Sequence, residues 1–164
     1  MYTDSMSLRM HICSLFVAAM FVSCSPVQNE QSNKNASTEY EIPIEQEIDL
    51  KDCLSQSESQ YLVFFHSETC SHCREIRGDI LSFANENILK VYFLDIKKPT
   101  NAVTICQKEE IELGISGYQD IKILGTPTII KVENGVTTAN VAGKEECLTL
   151  INQERLNYNK QIIA

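Results

Sequence analysis

The stretch that decides the fold is HSETCSHCREIRG, His66 to Gly78, in which Cys70 and Cys73 lie three positions apart. Three kinds of site use such a pair: half of a zinc centre, a structural disulfide or a redox-active dithiol. Zinc needs further ligands, and the sequence has no second Cys-x-x-Cys and no His-x-x-x-His. Structural disulfides favour buried, unreactive surroundings. The motif therefore favours a redox dithiol with no metal.

The residues on either side of the motif predict a strand before it and a helix after it. Gln60–His66 is a continuous apolar run, which is typical of a central strand buried on both faces. From Ser71 to Glu86 the apolar residues recur at helical spacing. Cys70 should then begin a helix, where unpaired N–H groups and the helix dipole favour a thiolate. Cys73, one turn later, is placed to resolve a mixed disulfide, and His72 is a candidate positive partner.

The rest of the chain predicts further elements around this unit. They are a first helix over Ile44–Ser57, a strand over Ile88–Asp95, a helical linker over Ala102–Leu113, a hairpin of Thr128–Glu133 and Val136–Val141, and a last helix over Lys144–Leu156. Asn134-Gly135 is the preferred two-residue hairpin turn. Strands joined by a helix should be parallel, whereas the hairpin adds an antiparallel pair. The prediction is an α/β domain with a central mixed sheet of about four strands flanked by helices.

This order of elements, with Cys-x-x-Cys between the first buried strand and its helix, resembles the thioredoxin-like superfamily from Ile44 to Leu156. A second shared element is GTPT, Gly125–Thr128, directly before the hairpin. In the family a cis-proline occupies this place and faces the dithiol. The resemblance implies that Pro127 is this proline, that Thr126 precedes it at the substrate groove, and that the chain is a thiol–disulfide oxidoreductase without a cofactor.

Two features bear on the direction of the reaction that the resemblance implies. A histidine before the second cysteine, here His72, is similar to the oxidising members of the family. Reducing thioredoxins carry a buried acid six residues before the first cysteine, and Phe64 stands there in this chain. Glu68 is the nearest acid and is expected in a wet loop. Both features favour oxidation of substrates over efficient reduction.

The N-terminus resembles a bacterial lipoprotein signal. The apolar run Ile12–Val22 is shorter than the roughly 20 residues that span a bilayer, and Ser23 precedes Cys24. The alternative is a plain secretory signal that is cut nearby. We predict a signal peptide over residues 1–23, lipidation of Cys24, a polar tether over 24–40, a folded domain over 41–159 and a tail over 160–164.

The composition of the chain limits the classes of partner that it can bind. The chain has 164 residues, 43% of them hydrophobic, and a net charge of −8 without a cluster of Lys or Arg. This pattern argues against nucleic acid and against an electrostatic membrane patch. We expect a monomer that contacts the membrane only through its lipid, on the extracytoplasmic side of a bacterial cell membrane. Its expected substrates are exported proteins with thiols or disulfides. Its expected redox partner is an extracytoplasmic or membrane protein.

Three further cysteines lie in the predicted domain. Cys53 and Cys106 should lie on the same side of a thioredoxin sheet and are the candidate pair for a structural disulfide. Cys147 is expected as a small buried hydrophobe in the last helix. The alternative for all three is simple core packing.

Two classes of function remain open from the sequence. The first is a membrane-anchored oxidoreductase that acts through Cys-Ser-His-Cys. The second is a thioredoxin-like accessory or binding lipoprotein with little turnover, because the chain also resembles proteins described as bacteriocin transport accessories. Turnover of a model disulfide separates them.

Overall fold

The centre of the fold is a four-stranded mixed sheet. The computed structural model describes residues 41–163. The sheet strands are β1 (Gln60–His66), β2 (Lys90–Asp95), β5 (Thr128–Glu133) and β6 (Val136–Ala142), in the order β2-β1-β5-β6. Two-residue strands β3 (Thr104–Ile105) and β4 (Lys122–Ile123) form a separate small parallel sheet, and the α-helices are α1 (Ser71–Asn85) and α2 (Lys144–Ile163). The predicted α/β class and the four-stranded mixed sheet are confirmed.

Strand β1 lies in the middle of the sheet and carries the redox motif at its end. It pairs in parallel with β2 and antiparallel with β5. Every residue of β1 after Gln60 is buried, as a continuous apolar run between two neighbours requires. Full burial of a side chain such as Phe64 or Phe65 contributes about 1.5–3 kcal/mol. These contacts fix the strand from which the motif emerges.

The alternation of β1 divides the core into two layers. Leu62 and Phe64 face the helices, where they pack with residues of α1 and α2 such as Ile76, Ile80 and Ile151. The next side chains along the strand face the other way and form the second layer with irregular segments; the members of that layer include Tyr61, Val63, Phe65, Leu50, Cys53, Leu54, Ile121 and Ile123. The two α-helices therefore cover one face of the sheet.

The predicted hairpin is confirmed. β5 and β6 pair antiparallel, and Asn134 and Gly135 both have positive φ, 51° and 78°. Positive φ at both central residues defines the turn that suits the twist of the two strands, and Asn-Gly is its preferred sequence. The register shifts between Lys131, which pairs with Ala139, and Val132, which pairs with Thr137, so the extra residue at this irregularity is Thr138 of β6.

The predicted first helix over Ile44–Ser57 is wrong. The segment contains only two short 3₁₀ turns, Ile44–Gln46 and Leu50–Asp52. Between them the chain runs alongside β2, where the Ile48 N–H donates to the Phe93 carbonyl at 3.0 Å. An edge strand presents unpaired backbone groups, and pairing with them outweighs the weak helical spacing of the apolar residues.

The predicted helical linker over Ala102–Leu113 is also wrong. It contains the short strand β3 and a 3₁₀ turn over Lys108–Glu110. Thr104 and Ile105 are β-branched and pair with Lys122 and Ile123 of β4. The apolar residues of this segment are exposed or only half-buried and do not align on a core face, as those of a packed helix would.

The last helix is longer than predicted. Helix α2 continues to Ile163, so residues 160–163, which were expected as a tail, are helical. The predicted signal peptide over 1–23, Cys24 and the tether over 24–40 lie outside the described residues. Within residues 41–163, neither α-helix combines the length and the apolar character that a membrane crossing requires.

Candidate active site

Cys70 is the N-cap of α1. Its sulfur accepts a hydrogen bond from the backbone N–H of Cys73 at 3.2 Å. The residue has extended backbone geometry, so β1 and the short loop after it deliver the sulfur to the unpaired N–H groups of the first helical turn. The sequence placed Cys70 at this position, and the structure has it there. A sulfur in this place meets donors that stabilise its anion.

The electrostatic surroundings lower the pKa of Cys70 below that of an ordinary thiol. Partial burial acts against the thiolate, but hydrogen bonds from the side chains of Cys73 and Thr126 and from the backbone N–H groups of Cys73 and His72 outweigh it. Cys70 is also partly accessible to solvent. A lowered pKa together with access is the combination that marks a reactive cysteine.

Cys73 has the opposite properties. It is fully buried on the inner face of α1, and burial followed by its hydrogen bond to Cys70 raises the pKa of the Cys73 thiol to about 11. The backbone N–H of Ser67 faces this sulfur and opposes part of the rise. Cys73 therefore stays protonated at neutral pH, and its thiol is not accessible from solvent. This division suits one attacking and one resolving thiol.

The difference predicts the pH dependence of alkylation. We expect iodoacetamide to modify Cys70 in the reduced protein with a half-maximal rate at a pH below that of a free thiol, about 8.5. A lowered pKa means that the thiolate forms at lower pH, so the rate rises earlier as the pH increases. Cys73 should contribute only near pH 11. Mass spectrometry of the modified protein gives both profiles.

The Cys70→Ser variant is the control for this measurement. It should lose the low-pH limb of the alkylation profile and keep the high-pH limb. A Cys70 thiol in the unsubstituted protein that titrates at or above the pH of free cysteine would contradict the electrostatic account.

The loop before β5 closes the site from the other side. The Thr126–Pro127 peptide bond is cis, as predicted, and Pro127 is buried. The Cys70 thiol donates to the Thr126 carbonyl with a sulfur–oxygen distance of 3.4 Å. The Gly143 N–H donates to the Pro127 carbonyl at 2.9 Å, which ties the loop to the end of β6. The structure thus brings Cys70, Cys73, Thr126 and Pro127 together.

His72 lies at the rim of the site and is 64% exposed. Its Nδ1 is 3.7 Å from a carboxylate oxygen of Glu75, and the same oxygen is 2.9 Å from the Lys144 ammonium. Lys144 and, to a lesser extent, His72 lower the pKa of Glu75. The sequence analysis missed Glu75 and Lys144, because the contact joins two helices that lie far apart in the sequence.

Phe64, at the position of the family's buried acid, is fully buried and supplies no proton carrier. His66 is the titratable group on this face of β1 that the sequence analysis did not use. Its ring stacks on Phe64 with centroids 5.6 Å apart, and its Nδ1 is buried without a hydrogen-bond partner within the described residues. The alternation of β1 was the available signal, since it places His66 on the same face as Phe64. Glu68 is exposed, as expected.

The other three cysteines are not part of this arrangement. The thiols of Cys53, Cys106 and Cys147 are free in the structure, so the candidate Cys53–Cys106 bridge is not formed in it. Burial raises the pKa of both Cys53 and Cys147 to about 12, which makes these two thiols unreactive. In the part of the chain that the structure describes, no three His, Cys, Asp or Glu side chains gather as a metal site.

Comparisons with known proteins give one family match and a number of similar solved structures. The family model described as Thioredoxin matches residues 41–154, well over half of the chain. The solved structure of thioredoxin f2 from Chlamydomonas reinhardtii is 16% identical with a TM-score of 0.44, and the match covers 65% of this chain and 93% of that one. A mutant thioredoxin from Halobacterium salinarum NRC-1 is 17% identical with a TM-score of 0.44, covering 66% of this chain and 88% of that one.

Proposed function

This chain belongs to the thioredoxin family and has its general thiol–disulfide oxidoreductase character, and we propose that it oxidises exported proteins from a lipid anchor on the extracytoplasmic side of a bacterial membrane. Cys70 forms the mixed disulfide with substrate, and Cys73 is its partner in the disulfide of the oxidised protein. Cys73 resolves the mixed disulfide only in the reverse exchange, in which it displaces the substrate thiol. Pro127 and Thr126 form the wall against which the substrate cysteine lies. The protein works as a monomer and is returned to its disulfide form by an extracytoplasmic or membrane redox partner.

One observation carries the catalytic part of the proposal. The Cys70 sulfur lies between the Cys73 N–H at 3.2 Å and the Thr126 carbonyl at 3.4 Å. A substrate thiolate that attacks this sulfur in the Cys70–Cys73 disulfide forms a mixed disulfide and releases the Cys73 thiolate. A second substrate thiolate then displaces Cys70, whose stabilised anion makes it a good leaving group. The substrate loses two electrons, and the dithiol of the protein gains them.

The same stabilisation supports the proposed direction of the reaction. Groups that lower the pKa of Cys70 stabilise the reduced form and make the disulfide a stronger oxidant. Phe64 removes the buried carboxylate that would help Cys73 lose its proton during reduction of substrates. The reduction potential is expected well above the about −270 mV of a reducing thioredoxin and closer to the about −120 to −180 mV of oxidising members.

The test is equilibration with glutathione buffers, followed by turnover. A potential in the oxidising range and oxidation of a reduced model dithiol peptide, with bis(2-hydroxyethyl) disulfide as the terminal oxidant, support the proposal. A thioredoxin-like potential would overturn the direction. Loss of all turnover, while the fold is intact, would leave an accessory or binding lipoprotein as the function.

The anchor is the second part of the proposal. Its support is the apolar run Ile12–Val22 followed by Ser23 and Cys24, together with a polar stretch that gives the domain reach from the membrane. One acyl chain anchors a protein only marginally, whereas several chains on one cysteine hold it stably.

Lipidation predicts a clear partitioning result. The wild-type protein expressed in a bacterial host should enter the detergent phase and incorporate a labelled fatty acid, and Cys24→Ala should abolish both. Cys106→Ala, which changes another cysteine that is not fully buried, is the control and should leave both unchanged. Secretion of unlabelled wild-type protein into the medium would contradict the anchor.

A further inference from the structure

A groove of about 680 Å³ runs along the free edge of the central sheet. One wall consists of five consecutive residues of β6, from Thr138 to Ala142. Successive side chains of a strand point to opposite faces, so a cavity that touches all five lies at the strand's edge and not on either face. We name this cavity, with its β6 wall, the edge groove.

The backbone of β6 is open along this groove. Gly114 and Ile115 exchange hydrogen bonds with Thr137 at 2.8 Å and 3.0 Å. Beyond Thr137, among the residues that the structure describes, no backbone hydrogen bond reaches β6 from the side away from β5. The Asn140 side chain donates to the Lys122 carbonyl at 2.9 Å and closes only the middle of the edge. An edge of this kind can accept a further extended strand.

The opposite wall is aliphatic. It is formed by Ile111, Leu113 and Leu124, with Lys108 and Glu146 also along the groove. Leu113 is 57% exposed and Leu124 is 37% exposed, although both are large apolar side chains. Leu113 belongs to the linker that the sequence predicted to be helical. Because this linker is irregular, it presents its apolar side chains to the groove.

The edge groove continues into the thiol site. Leu124 is two residues from Thr126, whose carbonyl contacts Cys70. At the other wall Ala142 pairs with Thr128, and the next residue, Gly143, donates to the carbonyl of Pro127. The end of β6 is therefore joined to the cis-proline loop, so a chain paired with β6 would approach that loop.

We infer that the edge groove binds an extended segment of the substrate polypeptide, paired with β6 as an added strand, with an aliphatic side chain of that segment against Leu113 and Leu124. The inference rests on the proposed function, since it concerns the substrates of the same dithiol. It assigns a substrate class: unfolded or extended chains with an aliphatic residue a few positions from the cysteine. Main-chain pairing supplies affinity, and the aliphatic contact supplies selectivity.

The first test is binding of an unreactive peptide to the purified full-length protein. The probe is an extended peptide of about eight residues, with serine in place of the target cysteine and leucine or aspartate three positions away. The leucine peptide should bind about tenfold more tightly than the aspartate peptide. Leu113→Asp should remove this difference by raising the Kd of the leucine peptide about tenfold. Leu156→Asp is the matched control, because Leu156 is 55% exposed, close to the 57% of Leu113, and lies on α2 away from the groove.

Methylation of the peptide backbone tests strand pairing separately. N–H groups of a strand alternate in direction, so N-methylation at one set of alternate positions should weaken binding and at the other set should not. Equal effects at both sets, or an unchanged Kd in Leu113→Asp, would overturn the inference. A concentration-dependent dimer that Leu113→Asp dissociates would overturn it as well, because a second copy would then cover the edge.

Turnover of bis(2-hydroxyethyl) disulfide separates this inference from the proposed function. This small disulfide can react at Cys70 but is too short to occupy the edge groove at the same time. Unchanged small-disulfide turnover in Leu113→Asp, with weakened peptide binding, supports the groove. Absence of small-disulfide turnover in the wild type would defeat the proposed function, while the peptide Kd values would still decide whether the groove binds chains.

Discussion

Cys73→Ser is expected to accumulate mixed disulfides with substrate proteins, whereas Cys70→Ser should form almost none and lose turnover by a factor of about 10³ or more. The physical reason is the asymmetry of the two thiols. Cys70 is partly accessible with a lowered pKa, and Cys73 is fully buried with a pKa of about 11. Without Cys73 the internal disulfide cannot form, so the trapped species arises by the reverse exchange: the Cys70 thiolate attacks a disulfide of an exported protein, one thiol of that protein leaves, and the thiol that would displace the other is missing.

The measurement is non-reducing electrophoresis of each variant after expression in a bacterial host, followed by reduction to recover the partners. Cys147→Ser is a matched control, because Cys147 is equally buried and lies outside the exchange reaction. It should trap nothing and keep turnover. Equal trapping by Cys70→Ser and Cys73→Ser, or stronger trapping by Cys70→Ser, would contradict the assignment of the two roles.

The elements next to the redox motif could be predicted because local and long-range preferences agree there. Gln60–His66 is apolar from Tyr61 to Phe65, buried at every position after the first, and lies between two neighbours, so its burial and its strand geometry have the same cause. Thr128–Glu133 and the Asn134-Gly135 turn were predictable for a similar reason, since the turn residues and the strand residues favour the same hairpin.

The segments on the other face of the sheet could not be predicted in this way. Ile44 and Ile48 have helical spacing, yet Ile44 is 79% exposed and Ile48 bonds to the edge of β2. The deciding partner, Phe93, lies far away in the sequence, and a local pattern does not contain it. Asn101 is a similar case: it is fully buried because its amide bonds the Leu50 N–H and the Asp95 carbonyl.

In the candidate site, too, features that depend on the local sequence could be predicted, and features that depend on packing could not. The spacing of the two cysteines, together with the family resemblance that GTPT carries, was sufficient to predict that Cys70, Cys73 and Pro127 lie together. The contact of Glu75 with His72 and Lys144 was not accessible from the sequence, because it depends on how α1 and α2 pack. His66 lies between these cases, since its face could be predicted but the absence of a partner for Nδ1 within residues 41–163 could not.

His66 is held neutral by its surroundings. It is 4% exposed, and burial lowers the pKa of its imidazole to about 4. Among the charged groups that face it, Asp95 of β2 and Glu47 beside β2 favour its protonation, whereas Arg77 of α1 and Lys98 oppose it. Stacking on Phe64 and the edge contact with Phe93 leave little room for water to solvate a cation.

The low pKa makes His66 a source of acid sensitivity. An unfolded chain protonates this residue near pH 6.5, but the folded chain does so only near pH 4. The contribution to stability is therefore complete above pH 6.5 and is lost as the pH falls towards 4, which amounts to about 3 kcal/mol. His66→Phe should remove most of this loss. Urea unfolding at pH 7, 6, 5 and 4 gives the free energy of unfolding of both proteins.

His72→Gln is the control, because His72 is the other histidine within residues 41–163 and is mostly exposed. It should keep the full loss of stability between pH 6.5 and 4. Glu58 and Glu86, whose pKa is lowered mainly by hydrogen bonds from Tyr92 and Arg155, contact neither histidine and affect both variants alike. The lowered pKa of Glu75 depends first on Lys144, which both variants keep. Parallel pH profiles for His66→Phe and the wild type would show that the imidazole is solvated in the folded state. A profile that flattens only in His66→Phe locates the acid sensitivity in the layer between β1 and α1, directly beneath the dithiol.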